Sequence, residues 1–364
     1  MKLNKESLLK TLSRVEDPDL KKDLVTLGMI QKVNIDGQKV SFNVVLTTPA
    51  CPLKEVIKNN CIEVLEEDYG KEYEWEIFMT SQVTTVREAA PVLPEVKNII
   101  AIASGKGGVG KSTTAVNLAV ALADLGAKVG LIDADISGPS IPTMFNVEGE
   151  QPTVKKVGEK NVIIPITQYS VKLMSIGFLT PAESAVVWRG PMASSALRQF
   201  ISDVEWGELD YLLIDLPPGT SDIHLTMVQT VPVTGAIIVT TPQKVALADA
   251  TKGLTMFKQP QINVPVLGVV ENMAYFSPEE LPDNKYYLFG KEGGQKLAEK
   301  YKVPFLGEIP IVQSIRESGD TGFPAVYKNG ITQKAYTELA ETVARQVAIR
   351  NANSEKTQKV EITT

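Results

Sequence analysis

Residues Gly105–Ser112 read GKGGVGKS, which fits the phosphate-loop pattern G-x-x-x-x-G-K-[ST]. The preceding residues, 98–104, form an apolar run that predicts a buried strand ending at the loop. The following residues, 112–125, carry apolar side chains at helical spacing, and Gly126 ends the predicted helix. A strand, a glycine loop and a helix in this order point backbone N–H groups and the positive helix end at a polyphosphate. We therefore expect a nucleotide site rather than a glycine-rich turn without a ligand.

The composition of the 364-residue chain is typical of a globular protein long enough for two domains, with 43% hydrophobic and 22% charged residues. The net charge of −6 and the pI near 5.2 give no support to binding of nucleic acid or anionic membranes. No apolar run approaches the ~18 residues of a membrane helix, and the N-terminus lacks the apolar core of a secretory signal. Two cysteines and one histidine exclude a disulfide framework and a self-contained site of several cysteines. We expect a cytoplasmic protein without nucleic-acid or membrane partners.

Changes in periodicity divide the chain into four segments. A small α+β domain is expected over residues 1–88, a stiff proline-containing linker over 89–97, a larger domain over 98–350 and a disordered polar tail over 351–364. In the small domain, Asp36-Gly37 between two alternating segments predicts a β-hairpin. The elements expected there are a helix at Glu6–Val15, strands at Ile30–Ile35 and Lys39–Leu46, a helix at Pro52–Glu67 and a strand at Tyr73–Thr80.

Strands and helices alternate through the larger domain, which predicts an α/β fold. The expected architecture is a mostly parallel sheet with helices on both faces, as in P-loop NTPases, with ligands at the carboxyl ends of the strands. After the strand at residue 98, strands are expected at Lys128–Asp133, Val162–Pro165, Tyr211–Asp215, Gly235–Thr241, Val266–Glu271 and Phe305–Ile309, and helices at Met192–Ser202, Ile223–Val231, Val245–Phe257, Gly293–Tyr301 and Thr332–Ala348.

Polar residues follow several of these strands, where a ligand would bind. Asp133 and Asp135 follow one strand, and such groups hold Mg²⁺ waters or position an attacking water, with a plain acidic turn as the alternative. Asp215 ends another apolar run, as a Walker B carboxylate does. Gly219 is expected to donate its N–H to a γ-phosphate. Asn272 is expected to bind the base, and the absence of the guanine-reading pattern N-K-x-D after it favours adenine.

The two cysteines have different predicted environments. Cys61 lies on the apolar face of a predicted helix, so we interpret it as a buried small hydrophobe. Pro52 suits the first helical position, which would make Cys51 the N-cap. The positive end of the helix dipole lowers the pKa of a thiol at this position and favours the thiolate. Cys51 is therefore a candidate reactive thiol, and a serine-like cap is the alternative.

Five motifs in order resemble the Mrp/ApbC family of iron–sulfur cluster carrier ATPases, within the deviant phosphate-loop class of ParA, MinD and the nitrogenase iron protein. They are GKGGVGKS at Gly105–Ser112, DADISGPS at Asp133–Ser140, WRGPM at Trp188–Met192, DLPPGT at Asp215–Thr220 and ENM at Glu271–Met273. This resemblance covers about residues 95–345. The small domain resembles a PaaD-related iron–sulfur assembly domain, through VEDP at Val15–Pro18 and TTPACP at Thr47–Pro52.

The resemblance implies a homodimeric ATPase that binds Mg²⁺ and ATP and carries iron–sulfur clusters, with scaffold proteins and apo-proteins as partners. The loop residues Gly105, Gly107, Gly108, Val109 and Gly110 would then cradle the phosphates. The resemblance makes Lys106 the lysine that reaches the partner subunit's nucleotide and Lys111 the β/γ-phosphate lysine. It makes Ser112 the Mg²⁺ ligand and Thr113 an α-phosphate contact. Asp135 would be the water-positioning carboxylate, and Asp133 and Asp215 would lie on the Mg²⁺ side. Trp188 and Arg189 receive no role, and His224 is interpreted as structural.

The chain departs from the family pattern after the ENM motif. Many members carry a C-x-x-C pair there, and two such pairs hold a cluster between subunits, whereas residues 274–290 contain no cysteine. A cluster bridging two chains would therefore depend on Cys51. The alternative function is that of a spatial or partitioning ATPase like ParA or MinD. The acidic pI and the scarcity of apolar anchors in residues 354–364 argue against the DNA or membrane binding that it needs.

Overall fold

The computed structural model describes residues 3–87, 92–136, 138–158, 160–179, 190–278, 280–281, 283–328 and 330–360. Contacts divide the chain into two compact units, residues 1–84 with 348–354 and residues 85–347 with 355–364. The sequence does not indicate that a C-terminal stretch groups with the first unit. Within the described ranges, no helix is long and apolar enough to cross a membrane.

The first unit is a three-stranded sheet with two helices packed on one face. Its elements are α1 (Lys5–Leu12), β1 (Glu16–Asp17), β2 (Lys22–Asp23), β3 (Ile30–Asp36), β4 (Lys39–Leu46), α2 (Lys54–Tyr69) and β5 (Glu74–Ser81). β3 and β4 pair antiparallel, which confirms the expected hairpin, and β5 pairs parallel to β4. Val40, Phe42 and Val44 alternate into a core that Leu8 of α1 and Leu65 of α2 complete.

Helix α2 begins later than the sequence predicts, and this changes the environment of Cys51. Its N-cap is Leu53, so Cys51 lies two residues before the cap and is not the N-cap. The chain first turns, because the buried Thr48 hydroxyl accepts a hydrogen bond from the Ala50 N–H at 3.2 Å. The argument that a helix end lowers the pKa of Cys51 therefore fails. The prediction for Cys61 is confirmed, since its side chain is fully buried on α2.

The second unit is an α/β domain. Its elements in chain order are β6 (Val96–Ala103), α3 (Lys111–Asp124), β7 (Val129–Asp133), α4 (Ile141–Met144), β8 (Thr153–Val157), β9 (Lys160–Ile164), β10 (Ile166–Gln168), β11 (Val171–Ser175), α5 (Gly190–Ser202), β12 (Leu209–Asp215), α6 (Asp222–Thr230), β13 (Gly235–Thr240), α7 (Lys244–Phe257), β14 (Val266–Phe276), α8 (Gly293–Tyr301), β15 (Phe305–Ile311), α9 (Gln313–Thr321) and α10 (Ile331–Asn353), the last of which ends within the stretch 348–354.

An eight-stranded sheet forms the centre of this unit, in the order β10-β11-β7-β12-β6-β13-β14-β15. Its strands are parallel except β10, which pairs antiparallel with β11 at one edge. This confirms the expected mostly parallel α/β fold. Because the carboxyl ends of parallel strands lie at one edge, the sheet brings the phosphate loop, Asp133, Asp215 and Asn272 together.

Two expectations for this unit need correction. The strand predicted at Val162–Pro165 is present as β9, but it pairs antiparallel with β8 in a separate ribbon and not with the parallel sheet, where β11 takes the place beside β7. The tail expected to be disordered is ordered over residues 351–360. α10 continues to Asn353, Thr357 pairs with Arg87, and the Val360 N–H donates to the Val228 carbonyl. Val360 also packs against the apolar core, a contact that its polar neighbours hide in the sequence.

Candidate nucleotide site

The phosphate loop between β6 and α3 adopts a conformation that requires glycine. Gly108 and Gly110 have φ of 78° and 79°, in the left-handed region. A Cβ on Gly110 would overlap the side-chain amide of Asn272. A Cβ on Gly105 would overlap the backbone of α7 at Asp249. The loop is therefore in direct contact with both α7 and β14.

Asn272 supports the loop from its buried side. Its Nδ2 donates a hydrogen bond to the Val109 carbonyl at 2.8 Å, and the residue is 5% exposed. This contact links the end of β14 to the phosphate loop. The expected contact between Asn272 and a base stays a prediction.

Lys111, Ser112 and Asp215 form a compact buried cluster at the start of α3. The Lys111 Nζ donates to Asp215 Oδ1 at 2.7 Å, and the Ser112 hydroxyl donates to Asp215 Oδ2 at 2.6 Å. The Asp215 side chain has no exposed surface, and that of Lys111 is 6% exposed. Burial raises the pKa of Asp215, while the Lys111 charge and the two hydrogen bonds act to lower it. The cluster thus brings an ammonium group, a hydroxyl group and a carboxylate to the phosphate-binding end of a helix.

The two aspartates after β7 point to different places. Asp135 is on the cleft side, with its Oδ2 3.9 Å from the Lys111 Nζ. Asp133 is buried and accepts hydrogen bonds from the Ser175 hydroxyl at 2.9 Å and from the Asp135 N–H at 3.2 Å. Burial, reinforced by the charge of Asp215, raises the pKa of Asp133 to about 8. Asp133 therefore orients the segment that carries Asp135.

A cleft of about 200 Å³ opens over this cluster. Its walls come from the phosphate loop, α3, the segment after β7, α4 and the loop after β12. The lining residues are Ser104, Lys106, Gly107, Gly108, Gly110, Lys111, Ser112, Thr113, Asp135, Ser140, Met144 and Pro218. Lys106 is exposed, and its side chain extends from the loop toward solvent. The volume suits the phosphate chain of a nucleotide better than a whole nucleotide, since sites for drug-sized ligands usually span ~300–1,000 Å³.

The Gly219 N–H is engaged in this structure. It donates to the Ser104 carbonyl at 2.8 Å, which joins the loop after β12 to the start of the phosphate loop. A phosphate oxygen that took this N–H would have to displace the Ser104 carbonyl. The expected role of Gly219 at a γ-phosphate therefore includes a local rearrangement.

Several of these residues escape the sequence analysis. Ser175 ends β11, a strand that the periodicity does not reveal, so its contact with Asp133 could not be foreseen. Ser140 is the last residue of the DADISGPS motif, which was its only signal, and Met144 ends the short helix α4 after it and had none. Trp188 and Arg189 lie outside the described residues.

The thiols do not form a metal site within one chain. Among the described residues, no group of three or more His, Cys, Asp or Glu side chains is placed to hold a metal ion. Burial raises the pKa of Cys61 to about 12, which keeps it protonated. Cys51 is half-buried at the edge of the first unit's core. Any iron held by this chain's thiols would therefore depend on Cys51.

Both units match models of known protein families. Residues 95–347 match the family model of NUBPL iron-transfer P-loop NTPases, and residues 5–72 match that of iron–sulfur cluster assembly proteins. The chain belongs to the NUBPL iron-transfer P-loop NTPase family. Lys111 and Ser112 belong to the phosphate loop after which P-loop NTPases are named, and Asp215 reaches them from the end of β12.

Relatives share nearly the whole chain. The "Iron-sulfur cluster carrier protein" of Synechocystis is 48% identical over 352 residues, covering 95% of this chain and 99% of the relative. Its counterpart in Escherichia coli K12 is 43% identical over 342 residues, covering 93% and 90%. A solved nucleotide-binding protein of Archaeoglobus fulgidus, in complex with ADP, is 42% identical, with a TM-score of 0.56 over 65% of this chain and 91% of that one. The similarity therefore includes the first unit as well as the NTPase domain.

His224 is buried beside this site, near the start of α6. It is 1% exposed, and its Nδ1 accepts a hydrogen bond from the Ser221 N–H at 3.2 Å. Burial, with a smaller contribution from the positive charge of Lys111, lowers the pKa of His224 to about 4. The imidazole is neutral at pH 7.

Acidification should destabilise the fold through His224. The histidine takes up a proton near pH 6.5 when unfolded and near pH 4 when folded, so the unfolded state binds more protons in this window. Stability is full above pH 6.5 and falls by about 3 kcal/mol as the pH drops to 4. Urea unfolding across this range measures the effect, with His224→Gln as the control. Equal pH dependence in the variant and the wild type would contradict the prediction.

Proposed function

We propose that the chain is a cytoplasmic Mg-ATP-dependent ATPase that acts as a homodimer and passes iron–sulfur clusters to apo-proteins. The observation that carries the proposal is the buried Lys111–Ser112–Asp215 cluster at a phosphate loop, in a chain of the iron-transfer NTPase family. The names of the Synechocystis and Escherichia coli relatives support the cargo. ADP in the Archaeoglobus protein supports an adenine nucleotide.

When ATP binds, phosphate oxygens replace Asp215 as the partner of the Lys111 ammonium group. In the structure its charge is compensated by Asp215 in a buried setting, where an unpaired charge would be costly. The β- and γ-phosphate oxygens of ATP can replace that carboxylate, and the N–H groups of the phosphate loop add fixed donors. Charge that develops on these oxygens during hydrolysis then faces donors that are already in place.

The residues present fit a magnesium ion. Mg²⁺ prefers hard oxygen ligands, and the Ser112 hydroxyl and the Asp215 carboxylate lie 2.6 Å apart at the start of α3. Ser112 would bind the ion directly, Asp215 would hold it through water, and Asp133 would support this side of the site. Bound Mg²⁺ would neutralise charge on the phosphate oxygens.

Asp135 is the carboxylate placed to position the attacking water. It lies on the cleft wall, and its Oδ2 is 3.9 Å from Lys111 Nζ, so it faces the same space as the phosphate-binding lysine. A carboxylate there accepts a hydrogen bond from water and aligns it with the γ-phosphate. Hydrolysis yields ADP and inorganic phosphate.

The cargo site differs from that of family members with a C-x-x-C pair. Cys61 is buried and protonated, so each chain offers one suitable thiol, Cys51. We expect a cluster to bridge two Cys51 residues and to take its remaining ligands from a small thiol or a partner protein. Such a cluster is held by few protein ligands and is therefore labile, as transfer requires.

Substitution of the two charged cleft residues should separate binding from hydrolysis. Lys111→Ala should abolish ATP binding and turnover, because it removes the charge that meets the phosphates and leaves Asp215 buried without its cation. Asp135→Ala should retain ATP while turnover falls by about 100-fold or more. Titration with a fluorescent ATP analogue and a phosphate-release assay measure the two properties. Wild-type turnover in Asp135→Ala would refute the assignment.

Lys106→Ala tests the dimer. If Lys106 reaches the partner subunit's nucleotide, the variant should bind ATP with unchanged affinity as a monomer and lose cooperative turnover. Light scattering with a slowly hydrolysed ATP analogue measures dimerisation. Lys155→Ala, an exposed lysine of β8 outside the cleft, is the matched control. If Lys106→Ala dimerises and turns over ATP like this control, Lys106 is a solvated loop charge.

Cys51→Ser tests the cargo site. After anaerobic reconstitution with iron and sulfide, the variant should lose most bound iron, because serine cannot replace the thiolate ligand. ATPase activity should be unchanged, since Cys51 is not among the cleft residues. Cys61→Ala is the control and should retain its iron. Metal analysis and absorption spectra give the result, and full occupancy in Cys51→Ser would exclude Cys51 as a ligand.

A further inference from the structure

His224 has one buried nitrogen without a hydrogen-bond partner. Its Nδ1 accepts the Ser221 N–H, so in the neutral ring the proton is on Nε2. Within the described part of the chain, the buried Nε2 has no partner. Its ring lies against Phe257 of α7, with centroids 6.4 Å apart. Such an arrangement is costly, so it calls for a reason beyond filling the core.

The contact with Ser221 secures the outer end of a segment whose first residue, Leu216, is anchored in the apolar core. Residues 216–221 join Asp215 to α6, and Pro217 and Pro218 have no N–H to donate. The segment is attached to the phosphate-loop side by two hydrogen bonds, from the Leu216 N–H to the Ile102 carbonyl and from the Gly219 N–H to the Ser104 carbonyl. Its far end meets His224 through three contacts. The Ser221 N–H donates to His224 Nδ1 at 3.2 Å, the Ser221 hydroxyl lies 3.3 Å from the same nitrogen, and the His224 N–H donates to the Ser221 carbonyl at 3.0 Å.

This segment forms part of the cleft. Pro218 lines it, and Gly219 lies next to Pro218 with a φ of 84°, in the left-handed region that glycine adopts readily. A change at Ser221 is therefore transmitted within three residues to the cleft wall. Helix α6 itself is fixed independently, because the Thr226 hydroxyl donates to Ser194 of α5 at 3.0 Å.

We propose that His224 is a positioning residue for ATP hydrolysis, which acts through Ser221 to hold Pro218 and Gly219 at the phosphate cleft. The proposal rests on the ATPase function proposed above. His224 does not touch the nucleotide; it sets the place from which the Gly219 N–H can meet a phosphate. A neutral imidazole performs this without adding a second positive charge near Lys111.

Three variants test the proposal. His224→Ala removes the acceptor for the Ser221 N–H. His224→Gln keeps an acceptor at the third helical position, where glutamine serves in capping boxes. Thr226→Ala, one half-turn further along α6, removes a buried hydrogen bond to α5 without touching residues 216–221, and controls for loss of helix stability.

We expect His224→Ala to lower kcat by about tenfold with KM for ATP within about twofold, because the segment is misplaced while the phosphate loop is intact. Amide hydrogen exchange of residues 216–221 should be faster in the nucleotide-free variant. His224→Gln should restore both properties, and Thr226→Ala should change neither. If His224→Ala matches Thr226→Ala in kcat, or if His224→Gln does not restore it, the positioning role is overturned.

The exchange measurement separates this proposal from the ATPase assignment. It uses the nucleotide-free chain, so it reports on the tie between His224 and Ser221 whether or not ATP is the substrate. Absence of turnover in the wild type would overturn the ATPase function and leave the exchange result valid. Unchanged exchange in His224→Ala, beside normal wild-type turnover, would overturn the present proposal alone.

Discussion

The ion pair between Lys111 and Asp215 is the contact on which the site depends. Both groups are buried, so each is tolerable only because the other is 2.7 Å away. Their meeting depends on the register of the sheet, in which Asp215 of β12 lies opposite Ile102 of β6 and Asp133 of β7. Since side chains alternate along a strand, a shift of one residue in β12 would turn Asp215 to the other face. The Lys111–Asp215 ion pair thus forms only with this order and register of the strands.

Patterns contained in short stretches of sequence predicted most of the fold and the centre of the site. The phosphate loop, the alternation of strands and helices and the hairpin around Gly37 each depend on neighbouring residues, and the structure has them. Predictions that depend on distant contacts were wrong or missing. The start of α2 is a local exception: Pro52 alone placed it too early, because the turn that Thr48 makes with Ala50 has only a weak sequence signal. The contact between Asn272 and the carbonyl of Val109 spans 163 residues, and no local pattern announces it.

Several polar groups of the site hydrogen-bond to one another. Lys111 and Ser112 donate to Asp215, and the Gly219 N–H donates to Ser104. A ligand that enters must replace several of these bonds at once to be favourable. A triphosphate, with oxygens on three phosphorus atoms, can reach several of these donors at once.

The contact of Gly105 with α7 has a mechanical consequence. Side chains between two elements can change rotamer and absorb a displacement, but here the loop meets the helix backbone at Asp249 with no side chain between them. A movement of the phosphate loop must therefore shift α7 as a rigid rod rather than repack it. The first turn of that rod presents Lys244 and Val245 to solvent, with Val245 62% exposed. A surface far along the chain from the loop is thus joined to it through a single helix.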